Sequence, residues 1–596
     1  QTEVIVSPEE DVEIRRISLT NRSSKAIQLE LTSYFELALA PHRADRQHPA
    51  FNKLFIQTEA IEAQRSLLAY RRPRSPDESP IYVAHRLTLE REAGPFSYET
   101  DRRAFIGRGR SLHDPIGARR ELGNSAGFAL DPILSLRKTV RLDAGERTQI
   151  SLVLAAARTR PAALVLMEKY SDPLAIQRSI ELAWASSRLE LRLLRVLPDQ
   201  ALRFQQLAGH MLYPNWILRP AAERIQDNRK GQADLWPYGI SGDLPIAIVN
   251  IGEAEDIGLV RQLLQAQAYW RRRGFTTDLV ILNEESSSYE QPLKERLERQ
   301  TAAHATYAGT AQAGNVFLLS VDQIPPEDLT LLQAAARISL VAARGSLPQQ
   351  LVAPSQPLDL PEPLQVRDLE AQPSAPLGYL ELPYFNGLGG FTPDGREYVI
   401  YLGPGAETPA PWVNVLANPS FGTVVSESGA SFTWSENSQR NRLTEWSNDP
   451  LLDPPAEVIY IRDEETGAFW SPTAKPIREP EAYRARHGAG YTMFEHNSHA
   501  IEQELVVFVP VDDQGGQPIK LSRLKLRNDS SRPRELTVTY YVEWTLGESR
   551  EESQQDVLSL WDEVAQALTA RNGYHPDFPN RVSFATLHPA PGSVST

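Results

Sequence analysis

One segment of the chain occurs twice, near its two ends. EIRRISLTNRSSKAIQLELTSYFELAL at 13–39 aligns without gaps with KLSRLKLRNDSSRPRELTVTYYVEWTL at 520–546, and ten of the 27 positions are identical. HPAF at 48–51 then matches HPDF at 575–578, after an insertion that is 20 residues longer in the second copy. A repeat of this kind predicts that the front and the back of the chain fold as the same module.

Both copies have the pattern of antiparallel β structure. Short runs such as VEIRRISLTNR and IQLELTSYFELAL alternate apolar and polar residues and are separated by turn residues. Relative to the repeat, the first copy begins at its middle and the second ends early. We therefore expect some edge strands to lack their partner strands. We also expect these edges to pair with another polypeptide, with a neighbouring copy of the chain or with one another.

The region between the copies has a different pattern. Residues 163–212 place apolar side chains at helical spacing, whereas residues 235–345 alternate short apolar strands with helices, the last of which we assign to PEDLTLLQAAARISLVAARG. A Pro-rich segment follows, and the β pattern resumes at 379 and continues to about 545. The predicted fold is mainly β with α: two antiparallel β-sandwich modules separated by a helical linker and a small α/β domain. The predicted domains are 1–160 (first sandwich), 161–232 (helical linker), 233–350 (small α/β domain), 351–378 (Pro-rich linker) and 379–596 (second sandwich).

Composition excludes several classes of function. The formal net charge of −14 argues against a nucleic-acid or anionic-membrane binder, because both require a basic face. The absence of cysteine excludes disulfides, thiol nucleophiles and thiolate metal sites. No run approaches 18 apolar residues and no signal peptide opens the chain, so we expect a cytoplasmic location.

The second half of the chain resembles a known family. The ordered segments YFNGLGGFTPDGREYVIYL, TPAPWVNVLANPSFG, SFTWSENSQRNRLTEWSNDP, YIRDEETGAFWSPT and RHGAGYTMFEH are similar to the N-terminal β-sandwich of glycoside hydrolase family 94, which includes cellobiose, chitobiose and 1,2-β-oligoglucan phosphorylases. The doubled module and the LWPYGISGDLPIAIVNIGEAEDIGLVRQLL segment are most similar to bacterial cyclic β-1,2-glucan synthases. This likeness covers nearly the whole chain.

The resemblance implies a carbohydrate-related role without catalytic residues in this chain. In the family, an aspartic acid of a following (α/α)6 barrel protonates the glycosidic oxygen while inorganic phosphate, the co-substrate, attacks the anomeric carbon. The barrel and the transferase regions of the synthases have no counterpart here, so we assign no catalytic residue, no metal and no cofactor. In the intact synthases the region would face the cytoplasm at the inner membrane.

Three interpretations remain open at the level of sequence. The chain is the non-catalytic, carbohydrate-binding scaffold of a cyclic β-1,2-glucan synthase that supports chain-length control by phosphorolysis, part of a soluble 1,2-β-oligoglucan phosphorylase, or a structural spacer without sugar contact. The expected partners are a β-1,2-glucan or another β-glucan oligosaccharide, the barrel and transferase regions, and possible homodimer formation, with no nucleic acid.

The segment GASFTWSENSQRNRLTEWSNDP (429–450) is the main candidate for sugar contact. A sugar ring has an apolar face and a rim of hydroxyls, so its site needs flat aromatic surface together with amides, carboxylates and guanidinium groups. The segment supplies that mixture within sixteen residues. A second candidate pair lies in RHGAGYTMFEH and could face the same cleft. The predicted substrate-binding residues are Trp434, Asn437, Arg440, Arg442, Trp446, Asp449, Arg486 and His487.

Two glycine-rich segments are interpreted as structural. GLGGF at 387–391 and GISGD at 239–243 both precede strands, whereas a phosphate-binding loop needs a helix N-terminus directly after it. In FIGRGRSLHDP (105–115) the charged residues Arg108, Arg110, His113 and Asp114 are likewise assigned structural roles.

Overall fold

Antiparallel strands form most of the regular structure, as the alternating pattern predicts. The computed structural model describes residues 1–595 except 77, 90–94, 214–215, 286–290, 309–313, 353–362, 368–372 and 512–514. The first-copy strands are β1 Thr2–Val6, β2 Val12–Thr20, β3 Ile27–Thr32, β4 Phe35–Glu36, β5 Ile56–Ile61, β6 Ser66–Arg71, β7 Tyr82–Leu89, β8 Ser97–Asp101, β9 Pro132–Leu142 and β10 Arg147–Ala157.

The middle and the second copy add the remaining strands. The parallel strands are β11 Ile246–Ile251, β12 Asp278–Asn283, β13 Val316–Ser320 and β14 Ala336–Val341. The second copy has β15 Gly389–Phe391, β16 Glu397–Leu402, β17 Val413–Ala417, β18 Phe421–Ser426, β19 Ser431–Ser435, β20 Arg442–Thr444, β21 Glu457–Asp463, β22 Phe469–Trp470, β23 Tyr483–Gly488, β24 Tyr491–Ser498, β25 Ile501–Phe508, β26 Leu521–Asn528, β27 Leu536–Val542, β28 Trp544–Gly547, β29 Val557–Asp562, β30 Ala567–Asn572 and β31 Val582–Ala585.

Helices lie mainly between the two copies. They are α1 His42–Gln47, α2 Pro49–Lys53, α3 Arg102–Ile106, α4 Arg160–Lys169, α5 Pro173–Leu193, α6 Pro198–Leu212, α7 Ala222–Asp227, α8 Ile257–Arg271, α9 Pro292–Ala308, α10 Pro326–Ala335, α11 Leu347–Gln350 and α12 Arg550–Ser553. No helix among the described residues combines the length and the apolar composition that a membrane crossing requires.

The chain divides into two units that each contain several separate segments. The first unit comprises Gln1–Ser187, Leu364–Ser438 and Thr444–Glu543, and the second comprises Arg188–Pro363, Gln439–Leu443 and Trp544–Thr596. The first unit therefore contains the strands of the first copy together with most of those of the second copy.

The strand β10 contributes buried side chains to two cores, one on each face of the first-copy sheet. β10 lies between β2 and β7 in the sheet β1-β2-β10-β7-β6-β5. Successive side chains of a strand point to opposite faces of the sheet. Ile150 and Leu152 accordingly join a core with β6, β7 and β9, whereas Val153 packs with Met167 of α4 and Ile180 of α5 on the other face. The helical segment after β10 thus covers the outer face of this sheet.

The two copies of the repeat form matching strands with different neighbours. β2 and β26 are counterparts in the alignment, as are β3 and β27. β2 pairs on one side with β1 and on the other with β10, whereas β26 ends the sheet β15-β16-β23-β24-β25-β26. β3 pairs with β9, and β27 pairs with β21. Within the part of the chain that the structure describes, the outer edge of β26 has no strand beside it.

The second unit contains a parallel sheet of order β13-β12-β11-β14. Its strands and helices confirm most of the α/β pattern read from residues 235–345. One segment differs, because the predicted final helix stops at Ala335 and ISLV continues as the strand β14, paired in parallel with β11. Ile338 and Leu340 of β14 enter the core that also holds Leu263 of α8, and they alternate with the partly exposed Arg337 and Ser339, as expected of a strand with one buried face. The β structure of the second copy also extends beyond the predicted limit near 545, to β31.

Candidate functional site

A cleft in the first unit lies beside the segment that the sequence singled out. Its volume is about 330 Å³, and its lining includes Phe432, Glu445, Trp446, Asn448 and Asp449. Phe432 lies on β19, and the other four follow β20 in a Pro-containing loop. The cleft therefore combines aromatic rings with carboxylate and amide groups.

Trp446 forms the aromatic wall of this cleft. Its ring stacks on that of Phe432, with centroids 4.9 Å apart and planes inclined by 19°. The residue is 39% exposed, so part of the indole remains accessible to a ligand. A half-exposed, supported indole offers the flat apolar surface on which the C–H face of a pyranose can rest.

Trp434 packs against the same Phe432 ring but is not part of the cleft lining. Its ring centroid is 5.5 Å from that of Phe432, and the ring also covers Gly422 on the neighbouring strand β18. A Cβ at position 422 would lie 2.3 Å from Cζ2 of Trp434. The glycine thus gives this indole the space to lie flat against the sheet and support Phe432.

Adding one methyl group beneath Trp434 is a test of this packing. We expect Gly422→Ala to lower the free energy of unfolding of the first unit by about 1–3 kcal/mol, because the ring or the strand has to move. Urea-induced unfolding followed by far-UV circular dichroism measures this change. Gly403→Ala is the matched control, since a Cβ there meets no atom within 4 Å. Equal stability of the two variants would contradict the packing role of Gly422.

Asp449 lines the cleft but its oxygens are already engaged. Arg102 donates to both carboxylate oxygens at 3.1 and 2.8 Å, and the backbone N–H groups of Leu451 and Leu452 donate at 2.9 and 3.0 Å. Burial alone would raise the pKa of Asp449, but these hydrogen bonds, above all that from Arg102, lower it below its usual value. Asp449 is therefore held ionised and fixes the loop that carries Trp446.

The predicted residues 437–442 occupy other environments. Asn437 is an exposed residue after β19. Arg440 and Arg442 belong to the second unit, where Arg440 pairs with Asp577 at 3.1 Å and the buried Arg442 donates to the carbonyl of Glu548 at 3.0 Å. The two guanidinium groups thus have protein partners of their own and do not line the cleft.

Arg486 and His487 are neighbours on β23 and therefore face opposite sides of its sheet. Arg486 pairs with Glu397 at 2.5 Å. His487 lies between Thr492 and the carbonyl oxygen of Trp412, each 3.1 Å from a ring nitrogen, and its burial lowers its pKa. Neither residue lines the cleft.

Sequence reasoning missed a polar group beside the cleft. Asp453, a lining residue, accepts hydrogen bonds from Ser426 at 2.8 Å and Ser428 at 2.6 Å. Arg108 lies 3.6 Å from Asp453 and 3.2 Å from the buried Glu427, whose pKa is raised by burial. The signal was present in the acidic, Pro-rich run NDPLLDPP, which begins two positions after Trp446.

The fold is that of a mainly β protein built from antiparallel sheets. The family model for the glycosyl hydrolase 94 supersandwich domain matches residues 1–173 and again 396–596. The chain belongs to this family, and its role is carbohydrate-related. This confirms the family resemblance and the mainly β fold read from the sequence. Among the described residues, no group of three or more His, Asp or Glu side chains is arranged to hold a metal ion.

Individual relatives extend the comparison. The chain is 37% identical over 605 aligned residues to the cyclic beta-(1,2)-glucan synthase NdvB of Rhizobium meliloti. This alignment covers 98% of this chain and 21% of that protein. It is 31% identical over 176 residues to the N,N'-diacetylchitobiose phosphorylase of Vibrio furnissii, covering 29% of this chain and 21% of the relative. It is 32% identical over 171 residues to the solabiose phosphorylase of Paenibacillus borealis, and this alignment covers 27% of this chain and 20% of the relative. The chain spans about a fifth of the length of these relatives.

Proposed function

We propose that this chain is the carbohydrate-binding scaffold of a cyclic β-1,2-glucan synthase, in which the cleft at Trp446 holds a segment of the glucan. The observation that carries the proposal is the supported, half-exposed indole of Trp446 in a cleft with carboxylate and amide groups. The indole would stack on a sugar ring, and Glu445 and Asn448 would form hydrogen bonds with its hydroxyls. Asp449 would act by positioning the loop.

The extent of the similarity favours a synthase over a soluble oligoglucan phosphorylase. The synthase relative aligns with 98% of the chain, including the α/β region, whereas the two phosphorylase relatives align with 29% and 27%. In the proposed role, the region supports control of glucan length by phosphorolysis, with inorganic phosphate as the co-substrate of the whole protein. The chemistry would reside in residues outside this chain.

Binding measurements with Trp446→Ala test the proposal. Isothermal titration of the chain with linear β-1,2-glucooligosaccharides should show an affinity that falls at least about tenfold in the variant, the equivalent of about 1.4 kcal/mol of stacking energy. Trp236→Ala, which removes another exposed indole, should bind as the unchanged protein does. β-1,3- and β-1,4-linked oligosaccharides in parallel titrations report the linkage preference.

The spacer interpretation makes the opposite prediction. If the unchanged chain binds none of these oligosaccharides at millimolar concentration, or if Trp446→Ala binds as tightly as Trp236→Ala, the cleft is not a sugar site. The chain would then act through its packing alone.

A further inference from the structure

A second aromatic surface of the first unit is formed by residues that precede β15. Tyr379 is 72% exposed, Tyr384 is 90% exposed and Phe385 is 40% exposed. We call these three residues the tyrosine platform. None of them lines the cleft at Trp446. A group of exposed aromatic rings within one short segment is a candidate interaction surface.

The platform is supported from below. The Tyr379 ring stacks on that of Tyr401 of β16, with centroids 5.5 Å apart and planes inclined by 15°, and the Phe385 ring meets Tyr379 edge-on at 6.3 Å. Tyr401 is itself fixed, because its hydroxyl accepts a hydrogen bond from the Leu380 N–H at 2.9 Å. The guanidinium of Arg484 also lies over the Tyr401 ring, 5.8 Å from its centroid. One face of Tyr379 is thus buried on a rigid base and the other is open.

The backbone around Tyr384 is held in a rigid turn. The Asn386 side-chain oxygen accepts hydrogen bonds from the N–H groups of Leu388 and Gly389 at 3.1 and 2.9 Å, and its amide donates to the Tyr398 hydroxyl at 3.1 Å. Gly390 allows the segment to pack closely, since a Cβ there would lie 3.0 Å from the Pro383 carbonyl oxygen. These contacts restrict the backbone next to the platform, which reduces the entropy that binding has to overcome.

The distribution of side chains in this segment matches a neutral sugar. Leu382 points inward and is buried, whereas the aromatic residues and Glu381 face solvent. No lysine, arginine or histidine occurs in residues 368–395, so nothing in the segment attracts an anion. Flat rings beside a carboxylate and two tyrosine hydroxyls suit the apolar face and the hydroxyl rim of a pyranose.

We propose that the tyrosine platform is a second binding site for β-glucan, with one glucosyl ring stacked on the open face of Tyr379 and Tyr384 and Phe385 flanking it. The choice of a glucan as ligand rests on the proposed function. The geometry of the platform is independent of the cleft. A site of this kind would retain a growing or shortened glucan on the surface while another segment of it occupies the cleft.

The test uses the whole chain and separates the two sites. Linear β-1,2-glucooligosaccharides are titrated by calorimetry into the unchanged chain, Tyr379→Ala, Trp446→Ala and the double variant. We expect Trp446→Ala to retain binding at the platform. Adding Tyr379→Ala to this variant should weaken the remaining affinity at least tenfold, whereas adding Tyr379→Phe instead should preserve it. Tyr384→Ala should weaken the same binding. Phe469→Ala, another exposed ring of the first unit, is the matched control and should have no effect.

Each outcome assigns or removes one site. If Trp446→Ala alone abolishes all binding while the unchanged chain binds, the platform proposal fails and the cleft stands. If Tyr379→Ala abolishes binding and Trp446→Ala does not, the platform stands and the cleft fails. If Tyr379→Ala leaves binding unchanged in the Trp446→Ala background but alters the oligomeric state in size-exclusion chromatography, the platform is a protein interface and the proposal is overturned.

Discussion

Replacing Arg102 with methionine is expected to lower the free energy of unfolding of the first unit by about 3–5 kcal/mol, the usual cost of removing one partner of a buried ion pair. Arg102 is buried in α3 and donates to Asp449 at 2.8 Å, to Asp131 at 3.0 Å and to Glu36 at 3.0 Å. Methionine fills much of the same volume but leaves Asp449 without its cationic partner. Lys53, 2.6 Å from Asp131, would still compensate that second carboxylate.

Urea-induced unfolding followed by circular dichroism measures the loss, and two further variants test its cause. Arg103→Met changes the exposed neighbour on the same helix and should alter stability by no more than about 0.5 kcal/mol. Adding Asp449→Asn to Arg102→Met removes the uncompensated charge and should recover part of the loss. A double variant no more stable than Arg102→Met would show that the uncompensated charge of Asp449 is not the cause of the loss.

The same substitution has a consequence for the cleft. Asp449 holds the N–H groups of Leu451 and Leu452, and Leu451 packs in a small core with Phe105 and Ile106 of α3. The loop that carries Trp446 is thus anchored to the first copy of the repeat through both an ion pair and apolar contacts. Glucan affinity should therefore fall in Arg102→Met although Arg102 touches no ligand, whereas Arg103→Met should bind normally.

The sequence predicted the modules well because their signals are local. The alternation of apolar and polar residues in 13–39 and 520–546 appears as β2 with β3 and β26 with β27. The end of α10 was missed because the helical pattern of residues 326–335 was extended into ARISLV (336–341). Residues 336–340 alternate apolar and polar side chains, as a strand does, and the segment pairs with β11, some ninety residues earlier in the chain.

The site was less predictable because its contacts join distant parts of the sequence. Composition alone pointed to Trp446 and Asp449, which do line the cleft. No local sequence pattern indicated that Arg102 would donate hydrogen bonds to both carboxylate oxygens of Asp449, or that Arg442 would donate to the Glu548 carbonyl. Arginines near tryptophans look like sugar ligands in sequence until the fold supplies their partners.

Acidification from pH 7 to pH 4 is expected to destabilise the first unit in part through one histidine, His85 on β7. The side chain is fully buried; its Nδ1–H donates to the Val153 carbonyl at 2.9 Å and its Nε2 accepts from the Ser33 hydroxyl at 2.7 Å. The neutral ring is thus fully hydrogen-bonded. Burial, together with the charge of Arg15, lowers the pKa of His85 from 6.5 to about 4. The hydrogen bond to Val153 only partly opposes this shift.

The lowered pKa fixes the sign of the pH dependence. The unfolded chain binds a proton at this histidine below pH 6.5, whereas the folded chain does so only below about pH 4, so unfolding is favoured across that interval. A difference of this size corresponds to about 3 kcal/mol, present above pH 6.5 and lost as the pH falls towards 4.

Hydrogen exchange of the β7 and β10 amides, corrected for the intrinsic rate at each pH, measures this loss. His496 on β24 is also fully buried with its pKa lowered to about 4, and carboxylates titrate in the same range, so the slope of the unchanged chain alone does not isolate His85. The comparison with His85→Gln isolates the contribution of His85, because all other titratable groups are common to both proteins.

The His85→Gln variant should lose about 3 kcal/mol less stability than the unchanged chain between pH 7 and pH 4. His113→Gln, at an exposed position, should follow the curve of the unchanged chain. Parallel curves for the unchanged chain and His85→Gln would mean that β7 admits a charged imidazole, which the packing of Val153 and Ser33 around the ring argues against.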